Sequence, residues 1–458
     1  MDPVIFRQYD IRGTVGVDLT VEVARAVGAA IGSEARERLG RPATLAVGRD
    51  NRPSGESLMA ALVDGLRSAG TSVLAVGLVP TPALYFAIHH LEADGGVQVT
   101  GSHNPPEMNG FKMVLGGLPF AGDDIQVLRR RIDERRLATG QGSVATHDVL
   151  DAYRQEIRTR IGPLARPLSV VVDCGNGVPG LTYPTVLEAL GARVDRLYCE
   201  SDGSFPNHHP DPTVLENLRD LQARVAAVHA DLGIAFDGDG DRIGAVDERG
   251  TVLFGDQILA LLGEDLVRRL GKGREVIFDV KCSDALVEAL ERAGAKPTMW
   301  MTGHSFIKRK MKESGAVLAG EMSGHMFFGP PDYLGFDDAL YAAARLLKIV
   351  SGQPRALSAL REALPQYVST PEIRVDCPEA RKLAVVEAAA RHFAARYQTV
   401  TIDGVRWRTT DGWGLIRASN TQPILVLRFE ARTAAGLEAI RREAEQVLHA
   451  QGVGASQP

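Results

Sequence analysis

Three times along this chain a short apolar run stops at a polar, glycine-bearing loop. VQV precedes TGSHNPP (Thr100 to Pro106), LGIAF precedes DGDGDR (Asp237 to Arg242), and AVLA precedes GEMSGH (Gly320 to His325). Short apolar runs bounded by turn residues read as buried strands. In open α/β sheets ligands gather beyond strand ends, so the three loops are expected to share one site. The repeat extends further back: TLAVGRD ending at Asp50, SVVVDCGNG with Asp173 and EVIFDVKCSD with Asp279 are β-branched runs that break at an aspartate. Each is followed by a helical pattern closing on glycine, LMAALVDGLRSAG, YPTVLEALGA and DALVEALERAGA, and then by a further strand, TSVLAVG, ARVDRLY and KPTMWM. The reading is an α/β protein with three related domains, at 1–149, 150–251 and 252–364.

Beyond about residue 365 the pattern changes. SGQPRALSALREALPQY is a helix-rich connector, STPEIRVD reads as a strand, and EARKLAVVEAAARHFAARY reads as a long helix. QTVTIDG, VRWRTT, WGLIRAS and PILVLRFE then read as a strand meander before a final amphipathic helix. This predicts a fourth, α+β domain with an antiparallel sheet over 365–458, its tail GVGASQP disordered.

A formal net charge of −5 over 458 residues gives no sign of a nucleic-acid partner. MDPVIFRQYDIRG carries charges where a signal peptide needs an apolar core, and no later run is long enough to cross a bilayer, so no membrane partner and a cytoplasmic address are expected. The four cysteines, Cys174, Cys199, Cys282 and Cys377, form no CxxC pair and read as reduced, packed thiols rather than a zinc site or disulfide framework.

The chemistry sits in the loops. Asp237, Asp239 and Asp241 alternate with glycine, so a tightly bent backbone can aim three carboxylates at one hard cation, and Mg²⁺ suits a few protein oxygens plus a phosphate oxygen. An EF-hand shares the acidic spacing, and Glu248 stands at its last ligand position. Against it, Arg242 occupies the place of the obligatory glycine, and the loop follows a strand. A solvated acidic turn is the plainer alternative. Ser102 lies in a rigid loop beside two prolines; serine alone is a weak nucleophile, but next to a metal loop it becomes a phosphate carrier. By itself TGSHNPP would read as a capped turn. RASNTQP, Arg417 to Pro423, joins a guanidinium to hydroxyl and amide groups, the composition of a phosphate cradle.

FRxYDIRG (Phe6 to Gly13), TGSHNPPEMNGFK (Thr100 to Lys112), DGDGDR, TGHSFIK (Thr302 to Lys308), GEMSGHMFF and RASNTQP occur in this order. The set resembles the α-D-phosphohexomutase family, closest to its bacterial phosphomannomutase/phosphoglucomutase branch, over essentially the whole chain. The resemblance implies α/β/α domains with mixed sheets and a fourth domain like the TATA-binding protein, around a central cleft. It implies a hexose 1-phosphate to hexose 6-phosphate mutase acting on mannose or glucose phosphates. Ser102 would be the phosphoserine, and Mg²⁺ would be held by Asp237, Asp239, Asp241 and Ser102. Hexose 1,6-bisphosphate would be the intermediate and activator. Glu321 and Ser323 would hold sugar hydroxyls, and Arg417, Ser419, Asn420 and Thr421 the non-reacting phosphate. For proton transfer Lys112, His325, His103 and Arg12 are the candidates; Lys112 and His325 are preferred, with Arg12 on the transferring phosphoryl group. Tyr9, Arg242, Lys281, Thr302 and His304 would lie near substrate. Phosphoglucosamine mutase, an Mg²⁺-dependent phosphatase and a non-catalytic sugar-phosphate binder are the alternatives. Small-molecule sugar phosphates are the expected partners, and the expected state is a monomer or weak homodimer.

Overall fold

The computed structural model describes residues 2–419 and 422–454, so Asn420, Thr421 and the last part of the tail lie outside the described residues. The chain builds four sheets. In the first, Gly95–Val99, Thr44–Arg49, Ser72–Leu78 and Val144–Thr146 run parallel in that spatial order, and Met108–Leu115 adds antiparallel to Gly95–Val99, followed by Ile11–Thr14. In the second, Leu232–Phe236, Ser169–Asp173 and Arg193–Leu197 are parallel, with Ile243–Asp247 antiparallel to Leu232–Phe236. In the third, Leu318–Gly320, Glu275–Asp279 and Lys296–Trp300 are parallel, with Met326–Phe328 antiparallel.

The three sheets therefore repeat one plan. A buried parallel strand turns back through a hairpin into an antiparallel neighbour, and that hairpin is the polar loop: Ser102 lies between Gly95–Val99 and Met108–Leu115, the aspartates between Leu232–Phe236 and Ile243–Asp247, and Glu321 to His325 between Leu318–Gly320 and Met326–Phe328. Sequence periodicity finds the leading strand of each pair, because all five residues of Gly95–Val99 and of Leu232–Phe236 are buried. The return strands are too short or too polar at their start to announce the hairpin. One edge differs from the expected boundaries: Val252–Leu253, placed in the third domain by the sequence reading, pairs with Ile243–Asp247 and closes the second sheet.

The fourth sheet is antiparallel throughout, running Val368–Ser369, Ile424–Ala431, Gly412–Ala418, Val405–Arg408 and Gln398–Val400, with Ile373–Asp376 also on Ile424–Ala431. The single strand read from STPEIRVD is two pieces flanking Thr370 and Pro371, since proline has no N–H for a ladder. One sheet face packs against Glu379–Ala394 and Ala434–Ala450 through Trp407, Ile416, Leu427, Phe393 and Ile440. Phe393 stacks on Trp407 with ring centroids 3.7 Å apart.

The first three domains share a continuous apolar core. It runs from Thr81–His90 through Leu150–Ile161 to Ala339–Ser351, and includes Leu84, Tyr153, Ile234, Leu259 and Leu346. The fourth domain has a separate core. All four cysteines are free thiols, with Cys174 Sγ and Cys199 Sγ 3.3 Å apart. Among the described residues no helix is long and apolar enough to cross a membrane.

Candidate functional site

Ser102 has a left-handed backbone, φ 50°, and a buried side chain. That conformation costs a non-glycine residue about 1–2 kcal/mol, so its surroundings must impose it. Arg52 does much of this. Its guanidinium is buried against Asp50 at 3.2 Å, and it donates to the carbonyls of Ser102 and Met108, each at 2.9 Å. Asp50 in turn accepts from the Thr100 hydroxyl at 2.7 Å and from the Gly101 N–H at 3.2 Å. Sequence reasoning stopped at Asp50; Arg52 gives no local sign that it grips a loop 50 residues away.

The serine hydroxyl donates to Asp237 Oδ2 at 2.8 Å and lies 3.3 Å from His103 Nδ1. The other Asp237 oxygen accepts the backbone N–H groups of Gly240, Asp241 and Arg242, each at 3.1 Å. This wraps the loop around its own first carboxylate. A Cβ at Gly238 would sit 2.6 Å from the Ser102 carbonyl oxygen, so the glycine is what lets the two loops touch. The loop is a hairpin between strands, which removes the EF-hand alternative.

Asp237, Asp239 and Asp241 are wholly buried and can present ligand oxygens within 4.8 Å of one another. Lys112 Nζ donates to Asp239 Oδ2 at 2.7 Å and also to Asp241. Three carboxylates against one ammonium leave excess negative charge: burial, with repulsion from Asp239 and Asp241, pushes the Asp237 carboxyl well up. Burial would also raise Asp239, but Lys112 and the Thr81 hydroxyl at 2.6 Å hold it well below the usual range. Asp239 Oδ1 and Asp241 Oδ1 have no hydrogen-bond partner. An all-oxygen set with orphaned, buried oxygens fits a small divalent cation.

The other predicted groups converge from three domains. Arg12 donates from Nη1 to the Gly101 carbonyl at 2.7 Å and from Nε to Asp10 at 2.7 Å. Arg242 Nε donates to His325 Nε2 at 3.0 Å, and His325 Nδ1 lies 3.0 Å from Asp337 Oδ2. His304 stacks on His325 with ring centroids 5.3 Å apart. Burial, then the charges of Arg242, Arg12 and Lys112, pushes His103 well down; burial and Lys308 do the same to His304. Both imidazoles are neutral near pH 7. Tyr9 donates to the Thr302 carbonyl at 3.0 Å, and a Cβ on Gly303 would meet its ring at 2.5 Å.

Glu321 is buried with Oε1 unpartnered, burial raising its carboxyl, and Ser323 Oγ is 3.4 Å from its other oxygen. Lys281 Nζ lies 3.3 Å from Glu372 of the fourth domain. Arg417 donates from Nε to Asp403 Oδ2 at 3.0 Å, and the same oxygen accepts the Thr302 N–H at 3.0 Å. Arg417 Nη2 is buried without a hydrogen-bond partner among the described residues. Lys382 donates to the carbonyls of Ser419 at 2.6 Å and Gln422 at 3.0 Å, fastening both ends of the segment that contains Asn420 and Thr421. Besides Arg52, sequence reasoning missed Thr81, Asp337, Glu372, Lys382 and Asp403. Each acts through a partner far away in the chain, which no local pattern shows.

Four family models match in chain order. They are Phosphoglucomutase/phosphomannomutase, alpha/beta/alpha domain I at residues 3–138, domain II at 151–250, domain III at 254–367, and the C-terminal domain at 372–447. The phosphomannomutase/phosphoglucomutase of Pseudomonas aeruginosa PAO1 is 52% identical over 438 residues, 95% of this chain and 94% of that protein. The phosphoglucomutase of Neisseria gonorrhoeae is 46% identical over 449 residues, 97% of this chain and 96% of that protein. A crystal structure of a phosphoglucomutase/phosphomannomutase family protein from Burkholderia thailandensis superposes with TM-score 0.91 at 45% identity, covering 99% of each chain.

Proposed function

Because the chain belongs to the phosphoglucomutase/phosphomannomutase family, we propose that the site described above interconverts hexose 1-phosphates and hexose 6-phosphates through a phosphate carried on Ser102. The protein is an isomerase, a hexose phosphate mutase. The observation that supports the serine most directly is its hydroxyl, strained and buried, donating to Asp237 inside the carboxylate cluster. Mannose and glucose phosphates are the proposed substrates, and hexose 1,6-bisphosphate the proposed intermediate.

Asp237, Asp239 and Asp241 with the Ser102 oxygen would hold magnesium. When bound it would neutralise phosphoryl oxygens and polarise the Ser–O–P bridge. The chain's own groups supply the rest. A substrate hydroxyl attacks the phosphorus, the bond to Ser102 Oγ breaks, and the hydroxyl proton passes to His325 Nε2, whose lone pair is freed when the Arg242 N–H that it accepts here turns to the phosphoryl group. Lys112, kept protonated by Asp239 and Asp241 despite its burial, supplies positive charge and a proton on the serine side. Arg12 and Arg242 flank the transferring group. Arg417, with an unpaired Nη2, and Ser419, Asn420 and Thr421 would clamp the non-reacting phosphate. Glu321, Ser323, Lys281, Thr302, His304 and Tyr9 would line the sugar. After the bisphosphate turns over, Ser102 Oγ takes its other phosphate, which leaves the isomerised hexose phosphate and restores the phosphoserine, so no phosphate is consumed. The catalytic units are proposed to divide at residues 149, 251 and 364, with Val252–Leu253 lent to the second sheet.

Peptide mass spectrometry of the purified protein, paired with a mannose 1-phosphate to mannose 6-phosphate assay in Mg²⁺ with a trace of glucose 1,6-bisphosphate, tests this. A phosphate on Ser102 and turnover that depends on it are expected. A serine that stays unmodified in bisphosphate, with no conversion, would favour the binder. Phosphate release as fast as isomerisation would make it a phosphatase, and faster turnover of glucosamine phosphates would move the substrate class.

A further inference from the structure

We propose that Asp337, held by Lys308, is the positioning residue that orients His325 for proton transfer. The inference rests on His325 acting as the base. A guanidinium N–H can only donate, so the 3.0 Å contact from Arg242 Nε makes His325 Nε2 an acceptor and leaves the ring proton on Nδ1. Nδ1 lies within ion-pair distance of Asp337 Oδ2 at 3.0 Å, closer than Asp241 Oδ1 at 3.5 Å, and no other group hydrogen-bonds to either Nδ1 or Asp337 Oδ2 among the described residues. His304 Nδ1, the other imidazole near that oxygen, stands off at 3.8 Å.

The carboxylate is itself fixed. Asp337 is wholly buried, and its Oδ1 accepts from Lys308 Nζ at 2.8 Å. The ammonium lies 4.3 Å above the Tyr85 ring, so a helix of the first domain backs the pair. The Asp337 backbone bridges to Phe327, and the Asp338 N–H donates to Met326 at 3.1 Å, which pins the segment beside the strand that begins one residue after His325. A carboxylate beside one ring nitrogen selects the tautomer, and once the reacting hydroxyl has replaced Arg242 at the other nitrogen it stabilises the imidazolium that forms. This also explains Lys308, the last residue of the TGHSFIK motif, as the charge that keeps Asp337 ionised and in place.

A double-mutant cycle decides it. Asp337→Asn should lower kcat by about ten- to a thousand-fold with KM nearly unchanged. On a His325→Ala background the same substitution should change kcat by less than about three-fold, because a positioning residue has nothing left to orient. Nitrogen-15 spectra of the histidines should show the His325 ring leaving the Nδ1–H tautomer in Asp337→Asn. Should Asp337→Asn fail to fold beside an unpaired Lys308, the charge-balanced Lys308→Met/Asp337→Asn protein carries the same comparison. An equal loss in both backgrounds, or full kcat in Asp337→Asn, overturns the positioning role alone. An unimpaired His325→Ala enzyme overturns the base assignment and this inference with it.

Discussion

Ser102 is where backbone strain and chemistry coincide. Its φ of 50° belongs to the region glycine occupies freely, and the hydrogen bonds around Arg52 and Asp50 hold it there. Ser102→Ala and Ser102→Gly both delete the hydroxyl and differ only in Cβ. Ser102→Gly should therefore be more stable than Ser102→Ala by about 0.5–1 kcal/mol, and both should be inactive. Chemical denaturation of the two variants side by side checks this; a more stable alanine variant would show that the strain is absent. The serine itself was legible in the sequence from its rigid neighbours and from the other loops. Its left-handed backbone was not, because that comes from Arg52, buried against carbonyls of a loop distant in the chain.

At the scale of elements, the helix Thr81–His90 begins directly on the aspartate loop. The Thr81 N–H donates to the Asp239 carbonyl at 2.9 Å, and its hydroxyl to Asp239 Oδ2 at 2.6 Å. A helix N-terminus favours negative charge, so this end steadies the carboxylate cluster electrostatically as well as by hydrogen bonding. Thr81→Val keeps the shape and removes the hydroxyl. It should weaken Mg²⁺ binding by about ten-fold or more, measured by calorimetric titration, while the fold is kept. Equal affinity in wild type and variant would mean that Asp239 is oriented by Lys112 and the loop alone. The strands leading into the three loops were readable because buried parallel strands are apolar without interruption. The hairpin returns were not, since Met326–Phe328 has three residues and takes its place only by pairing with Leu318–Gly320.

At the scale of the whole molecule, three domains share a core, and the fourth, with a core of its own, is attached through a small apolar contact of Val280 with Trp413 and Leu415 together with buried charged groups. Arg406 donates to Asp284 at 2.8 Å and lies 3.7 Å above the Trp413 ring, while Glu430 accepts from the Trp413 ring N–H at 2.9 Å and from the Asp284 N–H at 2.8 Å. Lys281 and Glu372 add an ion pair across the same boundary, and the charge of Lys281, outweighing burial, draws the Glu372 carboxyl down to about 2. A carboxylate lowered in the folded state contributes stability above its ordinary value of 4.5, and that contribution is lost as pH falls toward about 2. Glu372→Gln should cost about 2 kcal/mol near neutral pH, and the two proteins should converge as pH drops below about 4. Unfolding curves followed by Trp407 and Trp413 fluorescence measure this, and a pH-independent difference would remove the ion pair from the account. Turnover of the proposed bisphosphate would need the fourth domain to hinge about the segment near Pro365. X-ray scattering should therefore change with saturating substrate.

By itself the sequence determined which residues are candidates for the proposed chemistry. Serine, alternating aspartates and a guanidinium among hydroxyls have reactivities fixed by residue type and short spacing, and apolar runs of strand length locate them at strand ends. The tertiary structure alone decided what orients them. Arg52 on the serine loop, Thr81 on Asp239, Asp337 on His325 and Asp403 on Arg417 all act between segments brought together by packing. Buried polar groups must find partners wherever the fold places them, and local spacing carries no record of that choice.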